Sequence, residues 1–596
     1  MGNKRKFTHM SKETLKRYIP ALCLAVLFCI FAVILIRMIT LSPGSGANAA
    51  AMNVGPGVQS DLSGLGESIT GSAVFPKAAI NKNSLDLPEF NPRHTADTKP
   101  SSLLVGTGIM VNGKQVDSYI LPDSVDFGLG KDYSQLEGVT TFRGNNFRDS
   151  GAFGTAALDE EAFVGLWSLG TGNLQAPDGE IWTGTGWTGQ PLIARWPEET
   201  RRIMDLEDWA KNTPNLVEVI YPAMDGKIYF AELTTGTPTR EPIDMGYTFK
   251  GTGTLDPRGY PILYLGAGYN SAKGSARAFA LSLIDGKILY EFGDNDTFSL
   301  RGGLSYFDSS PLLDSVTDQL IYPGENGILY IIKLNSKFDA SAGTISLKPE
   351  RTVKWRYSGV RSGGQYWPGI ESSPVIWRGH IFLADNGGLL MCVNLSTLET
   401  VWVHDTLDDT NCTPVLELEN GHPYLYISTS FHAGWRASEK SSASIPIWKI
   451  DAVTGEAVWE TSYDCYTVSG VSGGVQGTIA VGKQNLSGLI FVPIARTPSS
   501  DTGRLAALDK YTGEEVWVLD TQIYSWSSPV TVYDSNGRGY IIYGTSGGYI
   551  YLLDGLTKQK LDSVDLGGNI ESTPAVFENT VVVGTRSQLI YGLNMG

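Results

Sequence analysis

From about residue 160 to the end, apolar positions come in short runs broken by Gly, Asn, Asp and Pro, the pattern of many brief strands joined by tight turns. In the cleanest copy, residues 374–377 form a strand and Arg378-Gly379 a turn. Residues 380–384 form a second strand, and Asp385-Asn386-Gly387-Gly388 turns again. Residues 389–394 and 400–405 supply a third and a fourth. Four antiparallel strands with tight turns make one blade of a β-propeller.

The unit repeats. Its start is a polar residue, two small residues, Pro and then apolar residues, as in Asp308-Ser309-Ser310-Pro311, Glu371-Ser372-Ser373-Pro374, Asn411-Cys412-Thr413-Pro414, Trp526-Ser527-Ser528-Pro529 and Glu571-Ser572-Thr573-Pro574. Looser copies begin at Thr188, Gly251 and Val475, which makes eight starts 40 to 64 residues apart. A second signature joins the third and fourth strands: Asp451-Ala452-Val453-Thr454-Gly455 leading to Trp459, and Asp509-Lys510-Tyr511-Thr512-Gly513 leading to Trp517. There the Asp can bond the turn, the Gly supplies positive φ, and the Trp packs between blades. The last repeat has only three strands before the chain ends, so residues 164–169, which have the outer-strand pattern and no blade of their own, are expected to close it. The fold class this predicts is all-β, an eight-bladed propeller over residues 161–596.

The stretch before the propeller has a different character. Residues 19–36 are uncharged and nearly all apolar, and Lys4, Arg5, Lys6, Lys12, Lys16 and Arg17 precede them against Glu13 alone. This predicts a transmembrane anchor over residues 18–41, with the first 17 residues cytoplasmic and the propeller extracytoplasmic. A cleaved signal peptide ending near Ala47-Asn48-Ala49 is the rival, and it exports the same domain. Residues 42–100 read as a flexible stalk rich in Gly, Ala, Ser, Asn and Pro. Residues 101–160 read as a small β-containing lead-in with an Asn112-Gly113 hairpin turn, and residues 197–211 as a short helix inserted in the first blade.

Composition narrows the function classes. With 46 basic and 62 acidic residues the net charge is −16, which argues against binding a phosphate backbone, so no nucleic-acid partner is expected. Beyond the anchor only Cys392, Cys412 and Cys465 remain, spaced for neither a metal knuckle nor a disulfide framework, although one bridge stays open. Gly184-Thr185-Gly186-Trp187-Thr188-Gly189 has dinucleotide-loop spacing but leads into a strand, not a helix. Gly470-Val471-Ser472-Gly473-Gly474 has nucleophile-elbow spacing, but no histidine follows His432.

The Asp-x-x-Thr-Gly-x-x-x-Trp repeats resemble those of the pyrroloquinoline-quinone (PQQ) propeller family, and Phe142-Arg143-Gly144-Asn145-Asn146-Phe147-Arg148 resembles the segment before its first blade. The resemblance implies the fold over roughly residues 140–596. It leaves function open, since the family holds quinoprotein dehydrogenases and also non-enzymatic members such as the outer-membrane assembly scaffold lipoprotein. The enzymes carry an adjacent cysteine pair and a calcium site. This chain has no Cys-Cys dipeptide, so neither PQQ nor calcium is expected as a cofactor and no catalytic residue is assigned.

Two constellations remain. The residue ahead of each start lies where an innermost strand begins, at one mouth of the central channel. Asp308, Glu371, Asn411, Trp526 and Glu571, with Trp187, Phe307, Tyr366 and Trp367 nearby, can hold a cation or a ligand's basic group, or can merely cap turns and face water. Phe431, His432, Trp435 and Arg436, in an insertion of the fifth blade, suit a partner surface or simple loop packing. The function expected is a membrane-anchored binding or scaffolding module for a protein, cell-wall or small-ligand partner in the cell envelope. A quinoprotein-like oxidoreductase with an altered site is the alternative.

Overall fold

The computed structural model describes residues 89–596, apart from 188, 363–367, 434–435 and 437–440. The expected anchor and most of the expected stalk lie outside the described residues. Among the described residues no helix is long and apolar enough to cross a membrane.

Eight antiparallel sheets follow one another along the chain. Their innermost strands are Leu192–Arg195, Thr254–Leu255, Leu312–Asp314, Val375–Trp377, Val415–Glu419, Ala480–Val481, Val530–Tyr533 and Ala575–Phe577. The eighth sheet takes its outer strand from the start of the domain: Phe163–Gly170 pairs antiparallel with Leu589–Met595, with Leu166 opposite Leu593 and Trp167 opposite Gly592. The ring is closed by chain ends far apart in sequence, as an eight-bladed β-propeller requires.

The core lies between blades. Each blade is covered on both faces, so its middle strands read as continuous apolar runs and successive side chains serve opposite neighbours. In Leu389–Asn394, Leu390 and Cys392 pack toward the fifth blade, while Met391 and Val393 pack toward the third. Cys392, Cys412 and Cys465 are buried free thiols, absorbed into these layers.

The repeat signatures have a physical meaning at each joint. Trp402, Trp459 and Trp517 donate their indole N–H to Ala452, Lys510 and Gly555 carbonyls of the next blade, at 3.0, 3.0 and 3.3 Å. Trp167 does the same from the closing strand to Leu233 of the first blade, at 2.9 Å. Three of these rings lie against a turn glycine: a Cβ on Gly236 would meet Trp167 at 2.5 Å, one on Gly455 would meet Trp402 at 2.6 Å, and one on Gly513 would meet Trp459 at 2.7 Å. The glycine is required both for its φ of 76° at Gly513 and for the indole's approach.

At the axis, the small-small-Pro motif knits the ring. Backbone N–H groups of Ser310, Ser373 and Thr478 donate to hydroxyls of Ser373, Thr413 and Ser528 in the next blade. Thr573 closes the circle onto the Gly189 carbonyl at 3.0 Å. Proline carbonyls then face inward, where residues 139–153 thread the channel. Arg148 donates to Pro374 and Ser310 carbonyls at 2.9 Å each, Arg143 donates to Pro529 at 3.0 Å, and Gln190 donates to Pro574 at 2.7 Å. Both arginines are almost fully buried. The channel is plugged by the segment that enters it.

Three expectations are corrected. Residues 89–100 are not stalk: Arg93 N–H bonds the Val453 carbonyl, Thr98 Oγ1 donates to the Thr454 carbonyl at 2.6 Å, and Phe90 meets His380 edge-on at 5.2 Å. The lead-in is no separate element either. Its hairpin, Leu104–Val111 and Lys114–Val116, continues the third blade by pairing with Arg351–Gly359. The single inserted helix is two, Glu198–Ile203 and Asp208–Asn212, because Met204 turns extended so that it and Leu206 reach the core.

Candidate functional site

The connection entering each blade delivers the residue ahead of the small-small pair to one mouth of the ring. Inter-blade bonding fixes the register of the two most degenerate copies. Thr252 accepts from Gln190 N–H as Ser373 accepts from Ser310, and Thr478 donates to Ser528 Oγ. The mouth residues of the second and sixth blades are therefore Lys250 and Gln476. Sequence reasoning missed both, because Gly253 and Ile479 replace the marker proline.

Asp308 lies with its carboxylate 3.3 Å from Lys250 Nζ, both largely buried. Four aromatic rings surround that ammonium: Trp187 at 4.8 Å, Trp182 at 5.1 Å, Tyr306 at 5.4 Å and Tyr269 at 5.8 Å. Trp182 comes from a small hairpin, Asn173–Gln175 and Ile181–Thr183, held over the mouth by Tyr269 donating its hydroxyl to Asp178 at 2.6 Å.

Asn386 Nδ2 donates to Glu371 Oε1 at 2.7 Å and to Asp409 Oδ1 at 3.0 Å. Asn411 Nδ2 reaches Asp409 at 3.3 Å and Gln476 Oε1 at 3.0 Å. Glu325 is paired with Arg301 at 2.9 Å. Glu325 and Asn386 stand in turns between second and third strands. Those turns fall at this mouth because second strands run antiparallel to first ones, the clue by which they were legible.

Glu571 accepts the Trp187 N–H at 3.1 Å and Asn569 Nδ2 at 2.7 Å. The Trp526 ring meets Trp187 at 5.9 Å. The mouth therefore divides into an acidic arc over the third to fifth blades and an aromatic arc of Trp526 in the seventh and Trp187 in the first, with Glu571 of the eighth between them and Lys250 joining the arcs.

Charge in the acidic arc is held back. Burial pushes the Asp308 carboxyl up to about 6 against the pull of Lys250. Burial, with Glu325, Asp409 and Asp308 nearby, drives Glu371 well above the carboxylate range, and burial with Asp408 does the same to Asp409. Burial works against the Lys250 charge, but Asp308, Glu325 and Glu371 outweigh it and raise its pKa.

The remaining sequence candidates divide. Tyr366 and Trp367 lie outside the described residues, as do Thr188 and Trp435. Phe307 is no binding floor: it is fully buried beside Tyr322 and Phe292 between the second and third blades. Phe431 is no partner surface, since its side chain is fully buried. Its strand, Ser430–Phe431, pairs with Gly473–Gly474, where only glycine leaves room for the backbone. His432 and Arg436 are half-buried and turn inward, His432 Nδ1 lying 3.7 Å from Asp409 and Arg436 Nε 3.5 Å from Asp408. They extend the acidic arc instead.

Among the described residues no three His, Cys, Asp or Glu side chains are grouped to hold a metal. Glu371, Asn386 and Asp409 do meet at one point, where the Asn386 Nδ2 bridges the two carboxyls and its Oδ1 is buried without a hydrogen-bond partner. A cleft of about 360 Å³ lies away from the mouth, between Glu137, Trp196, Arg201 and Asn215.

No family model matches the chain. The outer membrane protein assembly factor BamB of Kangiella koreensis is 34% identical over 110 residues. That match covers 17% of this chain and 26% of BamB, so the chain spans about a quarter of the relative's length. It resembles BamB there. Among solved structures, BamB from Moraxella catarrhalis shares 14% identity at a TM-score of 0.42, covering 63% of this chain and 91% of that one. A europium-containing methanol dehydrogenase shares 13% at 0.35, covering 75% and 89%.

Proposed function

We propose that this chain is a binding or scaffolding module of the cell envelope. It is held to the membrane by its N-terminal apolar segment and engages a protein or cell-wall partner outside. The observation that carries this reading is the mouth itself: a plugged axis that displays a continuous ring of acidic, amide and aromatic side chains on one face. A rigid disc with a closed centre is suited to presenting a surface. The likeness to BamB, whose name is that of an outer membrane protein assembly factor, supports a protein partner. The quinoprotein-like oxidoreductase with an altered site is the alternative that the following experiment separates from it.

Photo-crosslinking of the full-length chain in its own membranes tests this. A photoreactive residue replaces Trp526 at the mouth or, as a rim control, Tyr511, which is 57% exposed. A discrete adduct from the mouth and none from the rim is expected. Adducts from neither position, or PQQ-dependent dye reduction by the calcium-loaded chain, would overturn the reading.

A further inference from the structure

The outer edge of the eighth blade differs from every other. Its outer strand, Phe163–Gly170, reads Phe-Val-Gly-Leu-Trp-Ser-Leu-Gly and carries no charged residue. Every other outer strand does carry charge: Asp244 in the first blade, Glu291 in the second, Asp405 in the fourth, Glu460 in the fifth, Glu515 in the sixth and Asp562 in the seventh. Charges on an edge strand discourage pairing with other chains. Here that protection is missing from eight consecutive residues. One edge of the strand pairs with Leu589–Met595, and the other has no strand partner among the described residues. Val164 and Leu166 stand 47% and 56% exposed beside it.

The third blade shows what such an edge can receive. There the charged outer strand Arg351–Gly359 is covered in cis by Leu104–Val111, an uncharged strand in antiparallel register from Leu104 opposite Gly359 to Val111 opposite Val353. An outer edge of this propeller thus accepts a further strand, with one irregularity in the added strand between Leu104 and Gly106, and the strand it accepts is apolar and glycine-rich.

We propose that the free edge of the eighth blade binds an extended, uncharged segment of a partner polypeptide as an added antiparallel strand. Main-chain hydrogen bonds to the unpaired edge supply the affinity. Apolar side chains of the guest, placed beside Val164 and Leu166, supply the selectivity. This surface is on the rim, separate from the channel mouth, so its failure leaves the reading above untouched.

The test uses the full-length chain and a synthetic peptide of residues 104–111, with lysines added at both ends for solubility. Binding is read by fluorescence anisotropy, and the edge by amide hydrogen exchange over residues 163–170. The peptide is expected to bind and to slow exchange at this edge. The Val164→Lys/Leu166→Lys double variant, whose exposed positions leave the melting temperature unchanged, is expected to bind at least tenfold more weakly. A peptide with proline at alternate positions is expected not to bind. Equal binding by chain and variant, or no binding, overturns the proposal. Slow exchange at the edge without peptide also overturns it: loss of a dimer in the variant then assigns the edge to a second copy, and a monomer assigns it to another segment of this chain.

Discussion

The Arg148 guanidinium donates Nε–H to the Pro374 carbonyl and Nη2–H to the Ser310 carbonyl, each at 2.9 Å, and so ties the third and fourth blades from inside the channel. Its remaining reach goes to Thr141 Oγ1 and the Phe142 carbonyl. Among the described residues no carboxylate pairs with it, and burial pulls it down to about 9. The cation is kept by a fork of carbonyls. Arg148→Met is expected to lower stability by about 3–5 kcal/mol, since several buried acceptors lose their donor together. Arg148→Lys should fall between, because an ammonium cannot span the fork. Urea midpoints measure both, and a lysine variant as stable as the wild type would dismiss the fork.

The interlock of Gly513 with Trp459 predicts a different pair of values. Gly513→Ala is expected to cost about 3–5 kcal/mol, combining left-handed strain with a Cβ placed 2.7 Å from the indole. Gly567 has a similar φ of 70° but nothing within 4 Å of a Cβ. Gly567→Ala should therefore cost only the backbone share, about 1–2 kcal/mol. Equal losses would mean that the indole gives way and contributes nothing to the constraint.

These two joints show which parts of the structure the sequence reveals. Gly455 with Trp459, and again Gly513 with Trp517, recur four positions apart because each copy carries both the turn glycine and the indole that meets the next blade's glycine. Blade number, blade order and the outer strand at residues 163–170 follow from such repetition. Arg148 is different: its burial depends on the Ser310 and Pro374 carbonyls, 162 and 226 residues further along the chain, and nothing local marks a buried arginine. Lys250 and Gln476 were hidden because their copies had lost the proline that marks the register, although the mouth position kept its polar residue. Of the two readings open for Phe431, packing holds, and nothing local decides between them, since the strand that covers it, Gly473–Gly474, leads into the next blade.

Asp385 sets a pH dependence. It accepts the Tyr357 hydroxyl at 2.8 Å and the Leu389 N–H at 2.7 Å, yet burial pushes its carboxyl up to about 7. In the unfolded chain the group titrates near 4. Below that pH both states hold the proton and its stabilising effect is complete. As pH rises toward about 7, the unfolded chain releases the proton first and stability falls, by something on the order of 4 kcal/mol. Asp385→Asn mimics the protonated form and should flatten this part of the profile. Urea midpoints from pH 4.5 to 8 provide the measurement, and parallel profiles for the two proteins would rule Asp385 out as the source.

Lys250 and Asp308 are coupled more tightly than either is to its surroundings. The ammonium has four aromatic faces around it, and among the described residues only Asp308 lies within ion-pairing distance. Lys250→Met leaves a buried carboxylate without its cation and is expected to cost about 3–5 kcal/mol at pH 8. Asp308→Asn should cost less, because the aromatic rings and the more distant Glu325 still favour the ammonium. The Lys250→Met/Asp308→Asn double variant removes both charges and is expected to lie within about 1 kcal/mol of Asp308→Asn alone, well short of the sum of the single losses. At pH 5 the Lys250→Met penalty should shrink, since Asp308 then takes up a proton in place of its partner. Additive losses at both pH values would show that the two groups stand in separate environments and that the mouth is not one continuous network.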